Sequence, residues 1–415
     1  MPMFSLIFLC AALLGFALRL WLGLRQMHHV AAHRDAVPAA FSARIDLAAH
    51  RKAADYTCAK TRLALVETAI GTALLLTLTL GGLLQAIADR ATQAFVPNGY
   101  AYGLTLFALT GLVGFVVDLP ASLYRTFVLE ARFGFNTMTP TLFVSDLLKQ
   151  LLLAALIGAP VLLAVLWLMA HMGPLWWFWV WLFWLAFNVA VLLLYPTLIA
   201  PLFNTFSPLE DAALKTRIES LMARCGFAAK GLFVMDGSKR SAHGNAYFTG
   251  LGRNKRIVFF DTLLATLTPP QVEAVLAHEL GHFKHRHIVK RIALLALASL
   301  VLLWLLGQLI DAPWFYAGLG VHAPGTAMAL LLFGFALPVF TFPLSPLTSA
   351  LSRRHEYEAD RYAAANADAD QLVGALVRLY QDNAATLTPD PLHSAFYDSH
   401  PPASLRIAAL QGGTA

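Results

Sequence analysis

Long apolar stretches alternate with polar segments along the whole chain. A helix needs about 20 consecutive apolar residues to cross the hydrocarbon core of a bilayer. Seven stretches reach or approach that length, so the pattern predicts seven membrane-spanning helices. The last stretch contains Pro338 and ends among Pro343 and Pro346, which predicts a kink. The seven stretches run approximately over Phe4–Leu24, Leu63–Ala86, Tyr102–Leu123, Leu151–Ala170, Leu175–Leu198, Ile292–Ile310 and Ala327–Pro343.

Two long polar segments, 203–290 and 348–415, flank the sixth and seventh predicted spans. Because two crossings return the chain to its starting side, we expect both segments to lie on one side and to form a single domain. The chain then divides into an N-terminal region of five spans (1–202), the first part of the polar domain (203–290), two further spans (291–347) and the second part of that domain (348–415).

The composition also indicates a membrane protein and not a soluble one. Of 415 residues, 58% are hydrophobic and only 13% are charged. Ordinary soluble domains carry about 25% charged residues, so the lipid bilayer must be a partner of this chain. The first 25 residues lack the basic start and cleavage site of a secretory signal and predict a retained span. The three cysteines are scattered and form no disulfide or thiolate-zinc motif.

Lysine and arginine are distributed unevenly among the loops. Residues 25–62 contain seven of them, residues 87–101 only Arg90, and residues 171–174 and 311–326 none. Cytoplasmic loops of membrane proteins are enriched in these residues, so the N-terminus is predicted outside and both polar segments in the cytoplasm. The net charge of +6 then needs no nucleic-acid partner.

The first polar segment predicts a mixed α/β structure. Apolar residues have helical spacing within 211–227. GLFVMD, NAYFTGL and KRIVFFD have the composition of short strands. The last two are joined through residues typical of a hairpin turn, so we expect a meander with a free edge. The turn residues are Gly250, Gly252 and Asn254.

A polar cluster follows in AVLAHELGHFKHRH. Thr268 and Gln271 have the spacing of a capping box ahead of an apolar run, so the cluster is predicted on a helix. His278 and His282 are four residues apart and project from one face, where both imidazoles can bind one ion. Glu279 follows His278 directly, so it projects from a neighbouring part of the helix surface and can act as a base. This H-E-x-x-H spacing is typical of zinc peptidases, and a polar helix surface is the plain alternative.

A third ligand is available downstream in SRRHEYEADRYAAANA. Taken alone, this segment favours a solvated helix of alternating charges. Beside the two-histidine helix, Glu356 completes a shell of two histidines, one glutamate and a water position, which predicts one catalytic Zn²⁺ ion per chain. Asp360, one turn on, can accept the free N–H of a ligating histidine.

Other polar residues are candidates for contacts with a substrate. His243 and Asn245 precede the predicted edge strand and can bind a substrate backbone, or they can be turn residues. His400 and Arg406 can stabilise a developing oxyanion, or their segment can simply cap a loop. The remaining histidines of the polar cluster are interpreted as spectators or membrane-surface cations; they are His285 and His287.

Several segments form a combination that is more specific than H-E-x-x-H alone: YGLTLFALTGLVGFVVDLPASLYRTFVLEARFGFNTMTP, YPTLIAPLFNTFSPLE, GNAYFTGLGRNKRIVFFDTLL, VLAHELGHFKHRH, SRRHEYEADRYA and SHPPASLRIAAL. With this combination of segments, the chain resembles the integral-membrane CAAX prenyl proteases of type 1, which are zinc endopeptidases with seven spans. The resemblance covers most of the chain. The resemblance implies zinc binding by His278, His282 and Glu356, and Glu279 as general base. It implies Asp360 as proton donor or as support for a ligand, and substrate bound as an added strand beside Asn245.

The expected fold is a helical membrane protein of about seven spans with a cytoplasmic α/β zinc-metallopeptidase domain. The resemblance implies cleavage near the C-terminus of peptide or protein substrates, prenylated at a CAAX sequence in the family. Two alternatives stay open: a quality-control protease of membrane proteins without a lipid requirement, and a non-catalytic transporter or receptor with a zinc site. The expected location is a bacterial inner membrane, or the endoplasmic reticulum if the cell is eukaryotic.

Overall fold

Seven apolar helical segments dominate the protein. The computed structural model describes residues 2–228, 231–249 and 256–412. Within these residues, seven helical segments are long and apolar enough to cross a membrane, which confirms the predicted number. They expose many large apolar side chains, as surfaces in contact with lipid do. The segments are Met3–Ala32, Leu47–Leu78, Tyr100–Glu130, Pro140–His171, Gly173–Leu202, His287–Leu309 and Thr326–Asn366.

The described residues form seventeen α-helices, and π-helical or 3₁₀ turns link several of them within the spans. The helices are α1 (Met3–Ala32), α2 (Leu47–Leu78), α3 (Leu83–Thr92), α4 (Tyr100–Tyr124), α5 (Pro140–Leu153), α6 (Ala159–His171), α7 (Trp176–Leu194), α8 (Ala212–Arg224), α9 (Asp261–Thr266), α10 (Pro269–Lys284), α11 (His287–Leu309), α12 (Pro313–Gly318), α13 (Thr326–Thr341), α14 (Ser345–Asn366), α15 (Ala369–Asp382), α16 (Pro391–Tyr397) and α17 (Ala403–Leu410).

The second span differs from its predicted limits of Leu63–Ala86 at both ends. Helix α2 starts at Leu47, where the Asp46 side chain accepts a hydrogen bond from the backbone N–H of Ala49. It ends at Leu78, and Gly82, with a φ of +77°, starts the separate helix α3. Hydropathy detects the apolar part of a helix but not its polar turns outside the bilayer, so the prediction missed the start of α2 and ran through the break.

The seventh span is interrupted at Pro343, whereas its helix runs without a break through Pro338. Helix α13 ends at Thr341, a 3₁₀ turn covers Phe342–Leu344, and α14 continues from Ser345 to Asn366. Because α14 extends beyond the apolar stretch, it carries the polar residues Glu356 and Asp360 directly from the end of a spanning segment.

The polar segments contain a four-stranded sheet made of β1 (Phe206–Pro208), β2 (Gly231–Met235), β3 (Ala246–Thr249) and β4 (Arg256–Phe260). The strand order is β1-β2-β4-β3, with β2 parallel to β4 and β3 antiparallel to β4. The predicted meander is therefore wrong, because the chain crosses from β2 to the far side of β4 before it forms β3. Among the residues that the structure describes, β3 pairs only with β4, so the predicted free edge is present there. Gly250, Gly252 and Asn254 lie outside the described residues.

A single apolar core joins the two polar segments. Ile218 and Leu221 of α8 pack with Ile257 and Phe259 of β4, and Leu376 of α15 belongs to the same cluster. The helical spacing seen in the first polar segment therefore corresponds to the buried face of α8. This core fixes α10 between the sheet and the helices that follow the last span.

Candidate active site

Helix α10 carries the H-E-x-x-H residues and has a capped N-terminus. Thr268 and Gln271 form the predicted capping box, with each side chain bonded to the other residue's backbone N–H. The first-turn donors are thereby satisfied, and the helix runs without interruption to Lys284. His278 and His282 consequently lie on one face, with ring centroids 4.9 Å apart.

Helix α14 packs closely against α10 at a glycine. A Cβ atom added to Gly281 would lie 2.9 Å from Cα of Ala359 and 3.1 Å from the carbonyl oxygen of Ala359. The absence of a side chain at this position lets the two backbones approach. The approach brings Glu356 of α14 next to the two histidines of α10.

The side chains of His278, His282 and Glu356 converge. Nε2 of His278 lies 3.4 Å from Oε2 of Glu356, and Nε2 of His282 lies 3.3 Å from Oε1. One candidate ligand atom from each residue lies within 4.8 Å of the other two. Oε2 of Glu356 is buried and has no hydrogen-bond partner, which suits an atom that binds a cation. Two imidazoles and one carboxylate match the ligand set of catalytic zinc, so these residues fit the ion.

Asp360 and Arg406 form a buried pair behind His278. Oδ1 of Asp360 lies 2.8 Å from Nδ1 of His278. Arg406 donates to both carboxylate oxygens, from Nε at 2.8 Å and from Nη2 at 2.6 Å. The Asp360 carboxylate therefore touches the ring nitrogen of His278 that faces away from Glu356.

A cavity of about 200 Å³ opens beside these groups. Glu279 is half-buried there, and burial raises the pKa of its carboxyl. Nε2 of His400 lies 3.4 Å from Oε1 of Glu356. Six of the eight residues predicted for the site line the cavity: Asn245, His278, Glu279, Glu356, His400 and Arg406.

Asn245 and His243 have different surroundings. The carbonyl oxygen of Asn245 accepts a hydrogen bond from the backbone N–H of Phe260 at 2.9 Å, so Asn245 begins the pairing of β3 with β4. His243 is instead held by protein groups, with Nδ1 3.1 Å from Oδ1 of Asn383 and Nε2 3.4 Å from Oε2 of Glu130. Sequence reasoning gave no signal for Asn383, which also accepts from the backbone N–H of Gly244 at 3.2 Å.

His287, interpreted from the sequence as a spectator or a membrane-surface cation, is buried beside His282. Its Nδ1 lies 2.9 Å from Nδ1 of His282, and the residue is only 5% exposed. The chain reverses at Arg286, whose φ is +54°, so the start of α11 turns back toward α10. The sequence does contain a histidine five positions after His282. Helical periodicity could not relate the position of that histidine to His282, because it lies beyond the end of α10.

Comparisons with known proteins give the same picture. One family model, the five-helix N-terminal membrane region of CAAX prenyl proteases, matches residues 26–205, and peptidase family M48 matches residues 208–414. The CAAX prenyl protease 1 homolog of Oryza sativa subsp. japonica is 38% identical over 71% of this chain and 70% of its own length. CAAX prenyl protease 1 of Saccharomyces cerevisiae is 38% identical over 75% and 72%, respectively.

Similarity extends to the three-dimensional structure. The crystal structure of S. mikatae Ste24p aligns over 99% of both chains with a TM-score of 0.92 and 32% sequence identity. Sequence matches of this extent, two family models and a full-length structural alignment agree on one assignment. The chain belongs to the M48 peptidases of the CAAX prenyl protease type, which are multi-pass membrane zinc metallopeptidases.

Proposed function

We propose that this protein is a membrane-embedded zinc endopeptidase that cleaves protein substrates near the C-terminus, at the cytoplasmic membrane face. The observation that carries the proposal is the convergence of His278, His282 and Glu356 beside a cavity that also contains Glu279. Membership of a peptidase family argues against the alternative of a non-catalytic transporter or receptor.

His278, His282 and Glu356 would hold one Zn²⁺ ion per chain. A zinc ion bound there supplies Lewis acidity, which polarises a scissile carbonyl and acidifies water. Asp360 would orient His278 through Nδ1, and Arg406 holds Asp360 in place. The close contact of Asp360 with both groups supports a positioning role for Asp360 over a role as proton donor.

Glu279 would act as general base and then as general acid. Its carboxylate takes a proton from the attacking water and returns it to the leaving amine. The raised pKa of the half-buried carboxyl makes the Glu279 carboxylate a stronger base for the first transfer. His400 lies where it can donate to an oxyanion, and Asn245, at the start of the edge strand β3, can meet a substrate backbone.

The substrate proposal rests on the names of the relatives, which are CAAX prenyl proteases. We infer a peptide substrate with a prenylated C-terminal CAAX sequence. We also infer that residues 203–290 and 348–415 act as one catalytic domain in the cytoplasm, with the N-terminus outside. The corresponding membrane is a bacterial inner membrane, or the endoplasmic reticulum in a eukaryotic cell.

The test is a cleavage assay on the purified protein in lipid vesicles. A farnesylated CAAX peptide is compared with the same peptide without the farnesyl group, and each is assayed after chelation of metal and after return of zinc. We expect cleavage of the farnesylated peptide, loss of cleavage on chelation and recovery with zinc.

Each other outcome corrects a different part of the proposal. Equal cleavage of both peptides would favour a quality-control protease without a lipid requirement. Cleavage that survives complete removal of metal would contradict the metallopeptidase mechanism.

A further inference from the structure

A chain of three side chains leads from the candidate metal site toward the membrane helices. Nδ1 of His282 lies 2.9 Å from Nδ1 of His287, and Nε2 of His287 lies 2.9 Å from Oε2 of Glu358. His287 is the first residue of α11, and Glu358 belongs to α14. Three helices therefore contribute one residue each to a continuous hydrogen-bonded line.

The directions of the hydrogen bonds follow from the proposed zinc site. If Nε2 of His282 faces the cation, its Nδ1 carries the ring proton and must donate. Nδ1 of His287 then accepts, so Nε2 of His287 carries a proton and donates to the Glu358 carboxylate. Each atom in the line has the chemical role that its neighbour requires.

Neighbouring side chains outside this hydrogen-bonded line contact His287 and Glu358. The ring of His355 stacks on the ring of His287, with centroids 4.0 Å apart and planes 12° from parallel. His287 is 5% exposed, so water does not compete freely for its two ring nitrogens. Arg354 donates from Nε to the second oxygen of Glu358 at 3.3 Å.

We propose that His287 and Glu358 are positioning residues that orient His282 for metal binding. The proposal rests on the zinc site proposed above. It gives His282 the counterpart of the contact between Asp360 and His278, with a histidine inserted between the ligand and the carboxylate. Partners of this kind typically contribute about 10–100-fold to metal affinity or activity.

The test measures metal retention of the full-length protein in detergent. His287→Phe keeps an aromatic ring against His355 but removes both hydrogen bonds. His287→Asn places an amide oxygen near the position of Nδ1, so it keeps the acceptor for His282 and loses the bond to Glu358. His285→Ala is the matched control, because the ring of His285 also stacks on the ring of His287, with centroids 5.6 Å apart. Zinc release to a competing chelator is followed for each variant, and the visible spectrum of the Co²⁺-substituted proteins reports ligand geometry.

We expect His287→Phe to release zinc about 10–100-fold faster than the unchanged protein and to alter the Co²⁺ spectrum. His287→Asn should recover part of the loss, and His285→Ala should match the unchanged protein. Equal release rates and spectra for His287→Phe and the unchanged protein would overturn the inference. An unchanged protein that binds no zinc would instead overturn the proposed zinc site, so the two failures are distinguishable. If His287→Phe does not fold, Glu358→Ala tests the same line from its far end.

Discussion

Acidic residues of the site differ in what surrounds them. Glu356 has a buried oxygen without a hydrogen-bond partner, whereas both oxygens of Asp360 are occupied by Arg406 and His278. Glu279 is half-buried beside the cavity. At the scale of single residues, these surroundings distinguish the proposed metal ligand, the proposed positioning carboxylate and the proposed catalytic base, all of which have the same functional group.

Replacing Glu279 with glutamine tests the proposed base. Glu279→Gln keeps the size of the side chain but cannot accept a proton, so we expect kcat to fall by about 10²–10⁴-fold. Zinc content, measured on the same preparation, should remain that of the unchanged protein, because Glu279 is not proposed as a ligand. A variant that still cleaves at the normal rate would contradict the assignment.

Replacing Asp360 with alanine tests the buried pair. Asp360→Ala leaves the guanidinium of Arg406 buried without its carboxylate, which should lower the free energy of unfolding by about 3–5 kcal/mol. Thermal or chemical unfolding in detergent measures the change. Arg361→Ala, at an exposed position one residue on, is the control and should leave stability close to that of the unchanged protein. Equal stability of the two variants would contradict a stabilising role of the pair.

Helix packing decides whether the proposed metal ligands meet. His278 and His282 could be paired from their spacing alone, because helical geometry fixes residues four positions apart. Glu356 lies on another helix, and its approach depends on the contact between Gly281 and Ala359. The sequence offered Glu356 as a candidate, and only the packing of α10 on α14 brought it to the histidines.

A methyl group at Gly281 should separate α10 from α14. In Gly281→Ala the added carbon meets backbone atoms of Ala359, which cannot rotate away, so the helices must shift. A displacement of about 1 Å at a catalytic site can lower activity about 10²-fold. We expect loss of peptidase activity together with weaker zinc retention. Gly334→Ala in α13 is the matched control, because no atom lies within 4 Å of its added carbon and activity should persist.

The arrangement in the membrane concerns the whole molecule. Charge distribution among the loops predicts that residues 171–174 lie outside and that α8 lies in the cytoplasm. Chemical labelling of single cysteines can test this after Cys10, Cys58 and Cys225 are replaced by serine. We expect a membrane-impermeant maleimide to label His171→Cys on intact cells and Lys215→Cys only after permeabilisation, since both positions are exposed. The opposite pattern would place the N-terminus inside.

Local patterns were sufficient for part of this molecule. A span is a continuous apolar run, because its residues meet either hydrocarbon or the apolar side chains of other helices, and the number of spans could therefore be predicted from the sequence. The capping box and the spacing of His278 and His282 are also set within a few turns of one helix. These features need no knowledge of distant residues.

The tertiary structure decided the rest. The strand order depends on a crossover that no strand encodes by itself, and the meander prediction failed for that reason. The contact of Arg406 with Asp360 joins residues 46 positions apart, and that of His287 with Glu358 joins residues 71 positions apart. Such contacts form only where helices from separate segments pack together, so the sequence supplies the chemical groups and the fold determines which of them meet.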